Sequence, residues 1–241
     1  MSLDIRRLSK RFGALAVTRE VSLHVPAPGL HALIGPNGAG KTSLINQVTG
    51  TLVPDAGQVL LDGRDITRLA PHRRARLGLA RTFQISQLVP GFTAAENVAL
   101  AIQARTRGTL RPWGRPRVAG SLAFLGTVGL TRRAEVRAAA LAHGERRALE
   151  IATALALEPR CILLDEPLAG MAHEEARAII ALLQRLKQRF GLLLVEHDME
   201  AVFALADQVS VLVEGAVIAS GTPEQVRADR AVRAAYLGDE C

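Results

Sequence analysis

The chain has 241 residues, 49% of them hydrophobic and 22% charged, which supplies a sizeable core and excludes a disordered chain. Lysine and arginine outnumber aspartate and glutamate by 30 to 23, a formal charge of +7. That excess fits a nucleotide, a nucleic acid or a membrane surface, and fits an arginine-rich solvated exterior equally well. Two cysteines, Cys161 and Cys241, make no disulfide framework and fit a reducing compartment.

The opening MSLDIRRLSKRF carries no apolar core of signal-peptide type. Residues 21–25 alternate apolar and polar, as a half-buried strand does. Pro26, Pro28 and Gly29 break the run, and residues 30–34 form a second, wholly apolar one. The period then changes, because Leu44, Ile45 and Val48 fall on one helical face closed by Gly50. Residues 58–61 run into Asp62-Gly63 as a strand enters a turn, and His72 lies in PHRRAR, read as a solvated basic helix face.

From residue 86 to 141 the texture is rich in alanine and arginine and mostly helical. Residues 105–117, with Trp113, interrupt it; they suit lipid headgroups or nucleic acid, and suit a solvated loop as well. The uncharged stretch 118–131 contains three glycines and is too short to span a bilayer. Helical patterns at 146–157 and 174–190 then lead into apolar strands at 161–164 and 192–195. Helix and strand alternating in this way imply a parallel sheet covered by helices. Residues 209–219 read as a closing hairpin through Glu214-Gly215, and Thr222-Pro223-Glu224-Gln225 caps a last short helix. His24 and His31, in or beside strands, read as structural.

Between the second strand and the first helix stands Gly35-Pro36-Asn37-Gly38-Ala39-Gly40-Lys41-Thr42, which fits G-x-x-x-x-G-K-[ST]. Its glycines let backbone N–H groups converge on phosphates, and the helix N-terminus adds partial positive charge. Lys41 reaches the β- and γ-phosphates in this arrangement, and the Thr42 hydroxyl binds Mg²⁺, so ATP and Mg²⁺ are the expected cofactors. Asp165-Glu166 ends the strand 161–164, where one carboxylate holds the metal and the next orients a water.

With these in place the chain resembles the ATP-binding subunits of ABC transporters over essentially its whole length. Arg81-Thr82-Phe83-Gln84 looks like that family's Q-loop, and Leu141-Ala142-His143-Gly144-Glu145 like its signature loop. Residues 166–171 look like the start of its D-loop, and Val195-Glu196-His197-Asp198 like its switch histidine. The resemblance implies an α/β P-loop NTPase with a mostly parallel core sheet, an antiparallel β lobe and a helical lobe. The core with its β lobe would span 1–85 and 146–241, and the helical lobe about 86–145. It implies that Phe12 stacks on adenine with Val17 beside it, although a core phenylalanine is the alternative. Ser43 completes the phosphate loop, and Gln84 joins Thr42 and Asp165 at the metal. Glu166 becomes the catalytic base and His197 the γ-phosphate contact, while Ala142, His143, Gly144 and Glu145 address the nucleotide of a second subunit.

Two departures stand out. The family's signature is commonly Leu-Ser-Gly-Gly-Gln, so Ala142 lacks the serine hydroxyl; and Ala172 replaces a usual polar D-loop residue. Both bear on contacts with a partner subunit rather than on nucleotide binding. The expected partners are a second ATP-binding subunit, identical or sibling, separate transmembrane permeases and, indirectly, a solute-binding protein. No nucleic acid is expected, and the expected place is the cytoplasmic face of the membrane. Stretches at 81–84, 93–98, 195–199 and 232–238 resemble branched-chain amino acid importers, while His143-Gly144-Glu145 with Ala169-Gly170-Met171 is also similar to urea and short-amide importers. A nucleic-acid-associated ABC ATPase and a non-hydrolysing regulator are the remaining alternatives.

Overall fold

A computed structural model describes residues 1–82, 88–106 and 118–237. The strands are β1 (Ser2–Phe12), β2 (Leu15–Pro26), β3 (Gly29–Ile34), β4 (Ala56–Leu61), β5 (Arg64–Asp65), β6 (Leu79–Arg81), β7 (Cys161–Asp165), β8 (Gly191–Val195), β9 (Gln208–Val213) and β10 (Ala216–Gly221). Four of them form an antiparallel sheet in the order β2-β1-β4-β5. The other six form the sheet β10-β9-β3-β8-β7-β6, parallel except for β10 at its edge.

The helices are α1 (Lys41–Thr49), α2 (Pro71–Arg76), α3 (Ala94–Thr106), α4 (Ser121–Thr127), α5 (His143–Ala156), α6 (His173–Leu186), α7 (Met199–Leu205), α8 (Pro223–Ala228) and α9 (Arg230–Leu237). The apolar runs at β3, β7 and β8 are buried on both faces, and their period of two divides them between two cores. Leu30, Ala32 and Ile34 join Ile162, Leu164, Leu192 and Leu194 beneath the helical side. Leu33, Leu163, Leu193 and Val195 face the other way, onto α1 and the antiparallel sheet.

Strand β1 escapes a reading by alternation for a physical reason. Leu3, Ile5 and Leu8 are its buried residues, and the register against β2 shifts between Ile5 and Leu8, so the period of two is lost there. Helix α5 begins at His143, inside the signature residues, three residues ahead of Arg146. Helix α6 stops at Leu186 instead of continuing to 190, and the carbonyls of Lys187 and Phe190 beyond it accept from the Gly29 N–H at 2.9 and 3.2 Å.

The basic helix α2 also differs from expectation. His72 and Arg73 are exposed, but Arg74 turns inward and is only 2% exposed. Its guanidinium donates to four carbonyls: Leu69 at 2.8 Å, Gln47 at 2.8 Å, Val48 at 2.6 Å and Thr67 at 2.6 Å. Two of these carbonyls belong to the last turn of α1, where a cation is favoured. Burial lowers the Arg74 pKa to about 10. The histidines His24 and His31 are structural, as expected: Nδ1 of His24 pairs with Asp4 at 2.6 Å, and buried His31 bridges the His24 carbonyl and the Ser210 hydroxyl.

Candidate functional site

The carboxyl ends of β3, β8 and β7 lie side by side, with Leu33 opposite Val195 and Val195 opposite Asp165. That register gathers three stretches distant in sequence: the loop 35–42 after β3, Asp165-Glu166 at the end of β7, and Glu196-His197 after β8. Open α/β sheets bind ligands at this end.

The loop turns into α1 through Gly40, whose φ is 102° and whose carbonyl accepts from the Leu44 N–H at 2.9 Å. A Cβ there would stand 2.3 Å from the Val17 carbonyl oxygen, and one on Gly35 would stand 2.1 Å from that of Leu212. The loop is therefore wedged between β2 and β9, and glycine is required at both positions. Ala39 accepts from the Gly215 N–H at 2.9 Å, which pins the loop to the β9–β10 turn. Pro36, Asn37 and Gly38 form its outer arc.

Lys41 is buried, and its Nζ donates to the carbonyls of Gly35 at 2.6 Å and Pro36 at 3.0 Å. Burial lowers its pKa, while the charges of Glu166 and Asp165 oppose that shift, which places both carboxylates within electrostatic reach of the ammonium. Thr42 is exposed at the start of α1 and Ser43 is half-buried beside it.

Asp165 is 4% exposed, and its Oδ2 accepts from Nη2 of Arg81 at 2.9 Å. The other guanidinium nitrogen of Arg81 donates to Asn46 Oδ1 at 2.9 Å, so this arginine ties β6 and β7 to α1 just ahead of residues 83–87. Glu166 sits in the left-handed region at φ 47°, uncommon for a residue with a Cβ. Its N–H donates to the Val195 carbonyl at 2.9 Å. His197 is 64% exposed at the side chain, at the open mouth of the same cluster. Asp198 caps α7 by accepting from the Ala201 N–H. Gln84 lies outside the described residues.

Phe12 is 52% exposed at the tip of the β1–β2 hairpin, with Lys10 Nζ 5.7 Å from its ring centre. It is thus a presented aromatic surface rather than a core residue. Val17 is half-buried below it, on the strand whose carbonyl touches Gly40.

The signature residues stand elsewhere. Ala142 is the N-cap of α5, exposed, with His143, Gly144 and Glu145 in the first turn. Glu145 Oε2 accepts from the Ala142 N–H at 3.0 Å, which is half of a capping box. Alanine has no oxygen to return the bond. That hydrogen bond and Arg133 lower the Glu145 pKa. The Gly144 N–H donates to Glu175 Oε1 at 3.0 Å, and a Cβ on Gly170 would sit 3.9 Å from His143 Cε1. The signature turn therefore rests on the start of α6 and on residue 170, within one chain.

Three residues carry contacts that the motifs gave them no role for: Arg81 and Glu196, which lie inside the quoted stretches, and Arg74 at the far end of α1. Glu196 is 1% exposed, accepting from the N–H groups of Leu168 at 2.8 Å and His197 at 3.1 Å. Burial raises its pKa, against the pull of these bonds. Its sequence signals were a place after four apolar strand residues and directly before His197.

A mostly parallel sheet with a glycine-rich loop, buried Asp165 followed by half-buried Glu166, and a histidine at adjoining strand ends defines a phosphate-loop ATPase. The chain belongs to the ABC transporter family, whose sequence profile matches residues 18–169, and it is an ATP-binding subunit of that family. A second profile, described as branched-chain amino acid ATP-binding cassette transporter, matches residues 216–241. The chain is 38% identical over 250 residues to the high-affinity branched-chain amino acid transport ATP-binding protein BraF of Pseudomonas aeruginosa, covering 98% of each. It is 35% identical to LivG of Escherichia coli, likewise a high-affinity branched-chain amino acid transport ATP-binding protein, over 98% of each. It is also 35% identical to the lipopolysaccharide export ATP-binding protein LptB of Acidithiobacillus ferridurans, over 99% of this chain and 97% of that one. Among solved structures, the ADP conformation of an ATP-binding cassette of an ABC transporter superposes with a TM-score of 0.89 at 30% identity, covering 99% of this chain and all of that one. Among the described residues no helix is long and apolar enough to cross a membrane.

Proposed function

We propose that this chain is the Mg²⁺-dependent ATPase of an importer for branched-chain or related hydrophobic amino acids. The cargo rests on kinship: the profile match at 216–241 and the names of two relatives favour it, whereas relatives of the same identity include an export subunit. What carries the chemical reading is the meeting of Lys41, Thr42, Asp165, Glu166 and His197 at the ends of three neighbouring strands.

In this reading the backbone amides of residues 35–43 and Lys41 hold the phosphates, and Phe12 stacks on adenine above Val17. Thr42 and Asp165, with Gln84, hold Mg²⁺, and a hydroxyl with a carboxylate is the hard oxygen set this ion takes. Held by those residues, the ion would supply positive charge to offset that of the phosphates. Glu166 accepts the proton of the attacking water and His197 orients the γ-phosphate. Ala142, His143, Gly144 and Glu145 address the nucleotide of a second ATP-binding subunit. The core unit, 1–85 with 146–241, binds nucleotide, and the unit at about 86–145 meets a separate permease at the cytoplasmic face of the membrane. A groove of about 270 Å³ between α3 and α5, lined by Leu88, Leu100, Ala101 and Thr153, suits that contact. A solute-binding protein would deliver cargo to the permease.

The test separates binding from hydrolysis. Glu166→Gln keeps shape but removes the basic carboxylate, so turnover should fall by about 10²–10⁴-fold while a fluorescent ATP analogue still binds. Lys41→Ala should lose the binding itself. Near-normal turnover in Glu166→Gln would remove Glu166 from the catalytic role.

A further inference from the structure

The turn that carries Glu166 is strained and must be held. Its φ of 47° places a side-chain-bearing residue in a region normally left to glycine, and such conformations persist only where the surroundings over-determine them. Two backbone bonds contribute: the Glu166 N–H to Val195, and the Ala169 N–H to the Glu166 carbonyl at 3.2 Å. The third hold comes from a side chain. Glu196 Oε1 accepts from the Leu168 N–H at 2.8 Å, two residues beyond Glu166. Its Oε2 accepts from the His197 N–H at 3.1 Å and stands 3.8 Å from His197 Nδ1. One carboxylate, shut away from solvent, thus grips the turn after the general base with one oxygen and the backbone of the switch histidine with the other.

We infer that Glu196 is a positioning residue for hydrolysis, setting Glu166 and His197 in register with each other through Leu168 and the His197 amide. Burying a carboxylate is costly, and among the described residues the hydrogen bonds Glu196 accepts come from backbone N–H groups, with the His197 ring 3.8 Å away. An apolar residue would serve the core better, so the residue's value lies in its two acceptors. The inference rests on the assignment of Glu166 and His197 to hydrolysis. It predicts a particular defect: the nucleotide is held by the loop at 35–43, which Glu196 does not bond, so binding should survive while the chemical step slows.

Glu196→Gln has the same shape but a single acceptor oxygen, so one of the two amides must face an NH₂ group. Steady-state hydrolysis of Mg·ATP by the full-length variant should show kcat reduced about 10–100-fold, the order expected for misplacing catalytic groups by a fraction of an ångström to one ångström. KM and the affinity for a fluorescent ATP analogue should stay within about twofold, the pattern of an interaction that matters for the chemical step rather than for binding. A kcat within twofold of the parent overturns the inference. So does a parallel fall in kcat and nucleotide affinity, or failure of Glu196→Gln to fold, either of which makes Glu196 a prop for the fold alone. Glu166→Gln run beside it keeps the two readings apart. Full turnover in that control overturns the underlying assignment, whereas its loss beside a normal kcat in Glu196→Gln overturns only the inference.

Discussion

Arg74 offers the sharpest stability test, because its loss can be followed bond by bond. Arg74→Met keeps most of the buried stem and deletes the guanidinium. Four carbonyls lose a charged donor at once: Gln47 and Val48 in the last turn of α1, and Thr67 and Leu69 in the segment before α2. The Gln47 carbonyl keeps the Gly50 N–H at 3.3 Å, and each buried carbonyl left without a donor costs about 1–3 kcal/mol. The desolvation already borne by the guanidinium, visible in its lowered pKa, is recovered in the variant and offsets part of the sum. Truncating one side of a buried charged network typically costs about 3–5 kcal/mol, and that is the value expected here. Domains of this kind are stable by only about 5–15 kcal/mol, so the variant should still fold with a visibly lower urea midpoint. Arg74→Lys should recover little, since one ammonium cannot reach carbonyls on both sides of the site. A loss under about 1 kcal/mol in Arg74→Met, or full recovery in Arg74→Lys, would refute the argument that this arginine clamps the end of α1.

Gly40→Ala should weaken nucleotide binding sharply, because its methyl would meet the Val17 carbonyl 2.3 Å away at a φ of 102°; titration with a fluorescent ATP analogue checks it. Ala142→Ser should complete the half-built cap of α5 and raise stability by about 1 kcal/mol in urea unfolding. Buried His31 has a pKa held below the ordinary 6.5 by burial, so below pH 6.5 the unfolded chain takes up the proton more readily than the folded one. Stability should therefore fall as pH drops below 6.5, until the folded-state pKa is passed, and His31→Gln should flatten that slope in urea titrations at stepped pH.

What could be read from the sequence was what neighbouring residues specify together. The phosphate loop, Asp165-Glu166, the hairpin across Glu214-Gly215 and the cap at Thr222 each state their geometry within a few residues. Phe12 was only half legible, since its exposure depends on β1 ending where β2 begins. Arg74 fell in a basic face read as solvated, and Arg81 and Glu196 stood in quoted motifs without a role, because the partners of all three are brought in by the fold rather than by spacing. Arg81 meets Asp165 only because β6 pairs with β7, and Glu196 meets Leu168 only because β7 pairs with β8. The start of α5 was misplaced for a related reason: an alanine N-cap carries none of the usual oxygen-bearing signal.

The contact between Gly144 and Glu175 has a thermodynamic consequence. In the proposed pair of subunits, the turn holding Gly144 faces the nucleotide of the other copy, yet within its own chain it leans on the helix that follows Asp165 and Glu166. A ligand engaging one copy's signature turn thereby acts on the short segment leading back to that copy's own carboxylates. Coupling of this kind is symmetric by linkage: whatever factor the first nucleotide contributes to the affinity of the second, the second must return to the first. Two sites yoked in this way would fill with a shared free energy, and a substitution at Glu175 would register at both even when only one copy carries it.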